Sequence, residues 1–145
     1  MLKLNIVCVG KLKEDYLTDA VNEYVKRLSR FCKTEIIELA ERNSPKEEAE
    51  SILRACKGYT VALAVEGKKC SSEQFASKVQ SVFDKGESLT FVIGSSCGLD
   101  ASVKAHADEM ISFSDMTFPH QLMRVILVEQ LYRAFMINSG SKYHK

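Results

Sequence analysis

The run LKLNIVCV, Leu2 to Val9, is the feature that most limits what this chain can fold into. It has the length of a strand and is almost continuously apolar, as a strand covered on both faces is. Similar runs recur, separated by amphipathic stretches. From about Glu14, the residues Leu17, Val21, Tyr24 and Leu28 mark one helical stripe. TEIIEL reads as a second strand, and SPKEEAESILRAC as a helix capped by Ser44, with Pro45 first and acids in its opening turn. YTVALAVEG is a third strand ending at Gly67. Ser71 and Gln74 fit a capping box for a helix carrying Phe75, Val79, Val82 and Phe83. LTFVIG, the short helix ASVKAHA and the strand MISFS follow. A last helix, with Thr117 as its cap and Pro119 in its first turn, closes the chain. Strand alternating with helix predicts one α/β domain over 1–145, built on a parallel sheet.

In parallel sheets ligands sit beyond the carboxyl ends of the strands. That rule selects VEGKKCSS, GSSCGLD and SDMTFP as loops able to line one pocket. GSSCGLD has the glycines of a close backbone approach but neither GxGxxG nor GK[ST]. A tight turn without a ligand satisfies Gly94 and Gly98 equally well. Cys97 has no basic neighbour in sequence to activate it, which favours an inert thiol.

Composition narrows the class. Of 145 residues, 46% are hydrophobic and 27% charged, a globular profile. No apolar run reaches membrane-spanning length, and the opening run lacks a basic leader. Five cysteines without a CxxC pair predict reduced thiols in a cytoplasmic setting. Three histidines without ligand spacing predict no metal site. The net charge of +1 argues against bulk attraction to nucleic acid. Local basic groups remain at Lys11 and Lys13 and in the run holding Lys26, Arg27, Arg30 and Lys33, where solvated surface charge is the simpler reading.

The stretch TFPHQLMRVILVEQLYRAF carries more. At 100° per residue, Gln121 and Arg124 share one side, with Glu129 and Arg133 far round the helix and apolar residues nearly everywhere between. A single chain of this size rarely encloses such a helix, so a second subunit is expected against it. Glu129 and Arg133 can simply pair, or Arg133 can face a site. His120 reads as structural. The final YHK offers a stacking ring, a base and a phosphate contact, although composition alone suggests a loose tail.

These residues resemble a known family. GKLKEDYL, EYVKRLSRFCK, EGKKCSSEQFA, TFVIGSSCGL, MTFPHQLMRVILVEQLYRAF and YHK match, in order, the RlmH family. Its members are SPOUT-class methyltransferases that act on N3 of a pseudouridine in large-subunit (23S) ribosomal RNA. The resemblance spans nearly the whole chain. It implies an α/β fold with a trefoil knot near the carboxyl end, a homodimer, and S-adenosylmethionine as methyl donor. By matching position, the cofactor contacts are Leu63, Gly94, Phe113, Ser114, Asp115, Met116, Thr117 and Phe118. The resemblance also implies that His144 takes the imide proton, Arg133 stabilises the developing charge and Tyr143 positions the nucleotide. Lys145, Lys11, Lys13 and Arg27 are then the candidate RNA contacts, with the assembled ribosome as substrate. Ser95 stands where the family usually has a second glycine, Asp115 replaces a usual lysine, and GSKYHK lacks the usual proline before YHK. The segment from about Glu41 to Glu48 is short for the family. The alternative is a catalytically weak RNA- or ribosome-binding protein on the same fold. Sheet architecture alone would also allow a nucleotide-binding hydrolase.

Overall fold

The computed structural model describes residues 1–145. Five strands, β1 (Leu2–Val9), β2 (Cys32–Leu39), β3 (Tyr59–Lys69), β4 (Leu89–Ile93) and β5 (Glu109–Ser112), form one sheet in the order β2-β1-β4-β3-β5. Every pairing is parallel. Helices α1 (Asp15–Leu28), α3 (Ser72–Asp84) and α5 (His120–Asn138) cover one face, and α2 (Pro45–Ala55) and α4 (Ala101–His106) the other. Strand β1 explains its own composition. Leu4, Ile6 and Cys8 enter the core under α3 and α5, while Val7 and Val9 enter the second core under α2 and α4. The one polar residue in the buried part of this run, Asn5, bonds to Thr90 on β4 at 3.4 Å.

Several local signals act as their chemistry predicts. The Ser44 hydroxyl accepts the Glu47 N–H with Pro45 at the helix start, and the Ser71–Gln74 capping box is reciprocal. Three expectations need correction. Thr117 does not cap α5; Pro119 occupies the cap position, and no side chain bonds there. Strand β5 stops at Ser112, because Ser114 turns the chain: its carbonyl accepts from the Ser112 hydroxyl and its own hydroxyl accepts the Met116 N–H, both at 2.9 Å. Strand β3 does not end at Gly67 but runs to Lys69, its register against β5 shifting between Leu63 and Lys68. Gly67 sits inside that irregularity. A Cβ there would lie 2.7 Å from the Ile111 backbone, so only glycine lets β5 approach this closely.

The last helix packs between α1 and α3. Leu127, Val128, Leu131, Ala134 and Phe135 are buried there, with Phe135 stacked on Phe31 at 5.0 Å. Arg124 is buried as well, only 1% exposed. Its guanidinium pairs with Glu38 at 2.5 Å and donates to the Gly10 carbonyl at 2.7 Å. Gln121 accepts the Lys13 N–H at 3.0 Å. Together these two side chains fix the β1–α1 loop against the start of α5. Leu122 stays 37% exposed, with Val125 and Ile126 half-buried on the same outward side. Arg124→Ala should lower stability by about 3 kcal/mol, since it empties a buried site and removes the guanidinium's bonds to Glu38 and the Gly10 carbonyl; urea unfolding measures this.

Candidate functional site

Because β4, β3 and β5 are neighbours, the segments at their carboxyl ends meet. They enclose a cleft of about 610 Å³, within the range that holds drug-sized molecules. Leu63 to Glu66 form one wall, Ile93 to Leu99 a second, and Ile111 to Ser114 with Met116 to His120 and Met123 the third. The first wall is the bulged half of β3 rather than the loop after it. The second depends on Gly94, where a Cβ would meet the Gly98 carbonyl at 2.7 Å. Gly98 itself has φ of 85° and donates its N–H to the Ser95 carbonyl. In the third wall, Phe113 packs edge-on against Phe75 at 5.9 Å.

Seven of the sequence-selected residues, Leu63, Gly94, Phe113, Ser114, Met116, Thr117 and Phe118, line this one cleft. Asp115 does not; its carboxylate pairs with Lys69 on the surface. His120 joins the wall, a placement that sequence reading did not give it. The cleft's one lysine, Lys104, is already paired with Glu66 at 2.5 Å. No three His, Cys, Asp or Glu side chains come together as a metal site.

A second cluster lies at the other end of α5. The tail folds back, and Tyr143 sets its ring edge-on to Tyr132 at 4.9 Å and donates its hydroxyl to Glu129 at 2.9 Å. Arg133 pairs with Glu129 at 2.9 Å, lies over the Tyr143 ring and reaches the His144 Nδ1 at 3.0 Å. A guanidinium only donates, so Nδ1 accepts and Nε2 carries the proton, which it gives to Glu73 at 2.6 Å. Both imidazole nitrogens are therefore engaged. The bond from His144 holds the Glu73 carboxyl below its usual range. Glu129 raises Arg133, which stays charged. Sequence spacing pointed to the Glu129–Arg133 pair but not to Glu73, which is distant along the chain.

The two clusters are separate within one chain. Thirteen residues of helix divide His120 from Arg133, roughly 20 Å of axial rise. Lys11 and Lys13 are exposed near the cleft end. Arg27 is near the tail end, bonded to Glu23 at 2.8 Å and set over the Tyr24 and Tyr132 rings. Lys145 is exposed.

Burial pushes the Cys8 thiol up to about 11 and raises Cys32, Cys56 and Cys70 as well. Cys97 alone is exposed, on the cleft wall. A disulfide reagent at neutral pH should therefore modify one thiol per chain quickly and four slowly, and Cys97→Ser should abolish the fast phase.

Burial, reinforced by Glu129, pushes Tyr143 well above the ordinary tyrosine range, and burial pushes Tyr59 up to about 12. The folded chain holds the Tyr143 proton to higher pH than the unfolded chain does. The tail contact is thus at full strength below about pH 10 and weakens as pH rises beyond it. Tyrosinate absorbance should show late-ionising groups, one of which disappears in Tyr143→Phe.

The predicted SPOUT methyltransferase family model matches residues 2–144. The chain is 48% identical to the ribosomal RNA large subunit methyltransferase H of Streptococcus equi subsp. zooepidemicus and to that of Lactobacillus helveticus, aligning over 99% of this chain and 100% of each relative. Among solved structures, a probable methylase family protein from Haemophilus influenzae superposes with a TM-score of 0.62 at 13% identity, over 100% of this chain and 72% of that one. An AdoMet-bound rRNA methyltransferase from Sinorhizobium meliloti superposes with a TM-score of 0.52 at 9% identity, over 90% of this chain and 56% of that one. With that fold and full-length similarity, the chain belongs to the SPOUT methyltransferase family, as a member of its ribosomal RNA large subunit methyltransferase H (RlmH) group.

Proposed function

We propose that this rRNA methyltransferase transfers a methyl group from S-adenosylmethionine to N3 of a pseudouridine in 23S RNA, working as a homodimer on the assembled ribosome. The observation that carries the reading is the three-walled cleft at the carboxyl ends of β3, β4 and β5. Its lining fits the donor: apolar side chains for the adenine and methionine carbons, hydroxyls and backbone for the polar edges, and no unpaired lysine to repel a sulfonium. The same lack of a free cation disfavours a nucleoside triphosphate, whose phosphates need one. Leu63, Gly94, Phe113, Ser114, Met116, Thr117 and Phe118 would hold the cofactor. Asp115, turned to Lys69, would act only through its backbone.

When bound, the donor would supply an electrophilic methyl, its sulfur being able to keep the electron pair of the carbon–sulfur bond. The imide nitrogen must first give up its proton. His144 takes it at Nδ1 once the nucleotide draws Arg133 away to its carbonyl oxygens, where the guanidinium steadies the spreading negative charge. Glu73, holding Nε2–H, keeps the ring in the tautomer that leaves Nδ1 as the base. Tyr143 and Lys145 bind the nucleotide, with Lys11, Lys13 and Arg27 as outer RNA contacts.

No residue of the tail lines the cleft of its own chain. A two-fold packing through the outward face of α5, where Leu122, Val125 and Ile126 remain open, brings one chain's tail to its partner's cleft. The trefoil threading expected of the family belongs to the same reading, as does a cytoplasmic location.

Calorimetric titration should give micromolar binding of S-adenosylmethionine; no binding at millimolar cofactor would favour the RNA-binding alternative. On intact ribosomes, Arg133→Ala and deletion of Tyr143 to Lys145 should each cut methyl transfer at least a hundredfold, with cofactor binding retained. Near-normal transfer by both overturns the assigned roles.

A further inference from the structure

Glu48, in the first turn of α2, is the most deeply buried carboxyl of the chain, 2% exposed. It makes no salt bridge. Its Oε2 accepts the Arg42 N–H at 3.0 Å and its Oε1 accepts the Ser95 hydroxyl at 3.2 Å. Ser95 in turn accepts the Cys97 N–H at 3.4 Å. An apolar residue at position 48 would fill the same space without removing a carboxyl from water. What the acid adds is two acceptor atoms, one aimed at the β2–α2 loop and one at the turn that forms a wall of the cleft.

That turn has little else to hold it. It closes through the Gly98 N–H to Ser95 carbonyl bond and through the close packing of Gly94 on Gly98. Ser96, Cys97 and Gly98 are exposed. No residue other than glycine in the chain has positive φ, so position 95 does not require glycine and is free to carry a side chain. The serine uses that freedom to reach the buried acid.

We propose that Glu48 is a positioning residue for the cofactor, acting through the Ser95 hydroxyl to fix the 94–98 turn in its binding shape. The proposal rests on the cleft being the S-adenosylmethionine site. The chain of bonds runs from a carboxyl outside the cleft to backbone atoms inside it. Cofactor affinity is therefore set partly by a residue that never touches the cofactor.

The test is calorimetric titration of the full-length protein with S-adenosylmethionine, alongside cofactor-free thermal unfolding. Ser95→Ala removes the hydroxyl with little change in volume. It should weaken cofactor binding by about tenfold, the scale of a lost hydrogen bond to a charged group. Ser95→Thr should restore most of the affinity. At saturating cofactor, kcat on ribosomes should stay near that of the unaltered enzyme while the cofactor KM rises. Glu48→Gln combined with Ser95→Ala should bind no more weakly than the weaker single variant, because the two side chains act in one series. If Ser95→Ala unfolds more easily yet binds cofactor within twofold of the unaltered chain, the contact is only structural and the proposal falls. If the unaltered chain does not bind cofactor at all, the reading of the cleft falls and takes the proposal with it.

Discussion

Five parallel strands put all their carboxyl ends on one edge of the sheet, and the rest of the structure depends on that alignment. Parallel pairing needs both faces covered, which is why β1 is apolar on both sides and why helices flank the sheet. It also places β3, β4 and β5 side by side, so the segments leaving them crowd together. The bulge in β3 adjusts the crowding. By slipping its register against β5 it turns Leu63 to Glu66 into a wall instead of a continuing ladder. Gly67 makes the slip sterically possible.

The last helix organises the polar chemistry at both of its ends. At its start, Arg124 and Gln121 hold the loop that carries Lys11 and Lys13. Near its finish, Glu129 gathers Arg133 and Tyr143. Its middle is apolar on one side to fill the core and apolar on the other without a partner in the single chain. One segment thus serves as core element, cleft wall and support for the tail. Its composition, apolar almost all round, reflects those overlapping demands rather than a single one.

Much of this was legible from residue order because the deciding forces are local. Ser44 with Pro45, and Ser71 with Gln74, satisfy backbone groups within one turn, so spacing alone reveals them. The continuous apolar runs of β1 and β4 report two-sided burial directly. Other features depend on atoms far away in sequence. Gly67 reads as a strand end until the β5 backbone is laid against it. Arg124 reads only as a polar residue sharing one side of the last helix with Gln121, and its partners, Glu38 and the Gly10 carbonyl, are distant in sequence. Thr117 looks like a cap because its type and position fit, but the chain from Ser114 onward turns on serine bonds and leaves Pro119 at the helix entrance. In the tail, Tyr143 and His144 invite a functional reading by type. Only the fold supplies Glu73, the carboxylate that fixes the imidazole.

The sheet order has a consequence for how the molecule comes into being. Strand β1 is made early but pairs with β4, and α5, made last, packs against α1. These contacts join distant parts of the chain, which slows folding relative to a fold made of neighbours. A nascent chain still lacking α5 exposes the apolar face that Leu127, Leu131 and Phe135 later cover, and it lacks the part of the cleft wall that His120 and Met123 supply. The unfinished chain is therefore the form most in need of a chaperone.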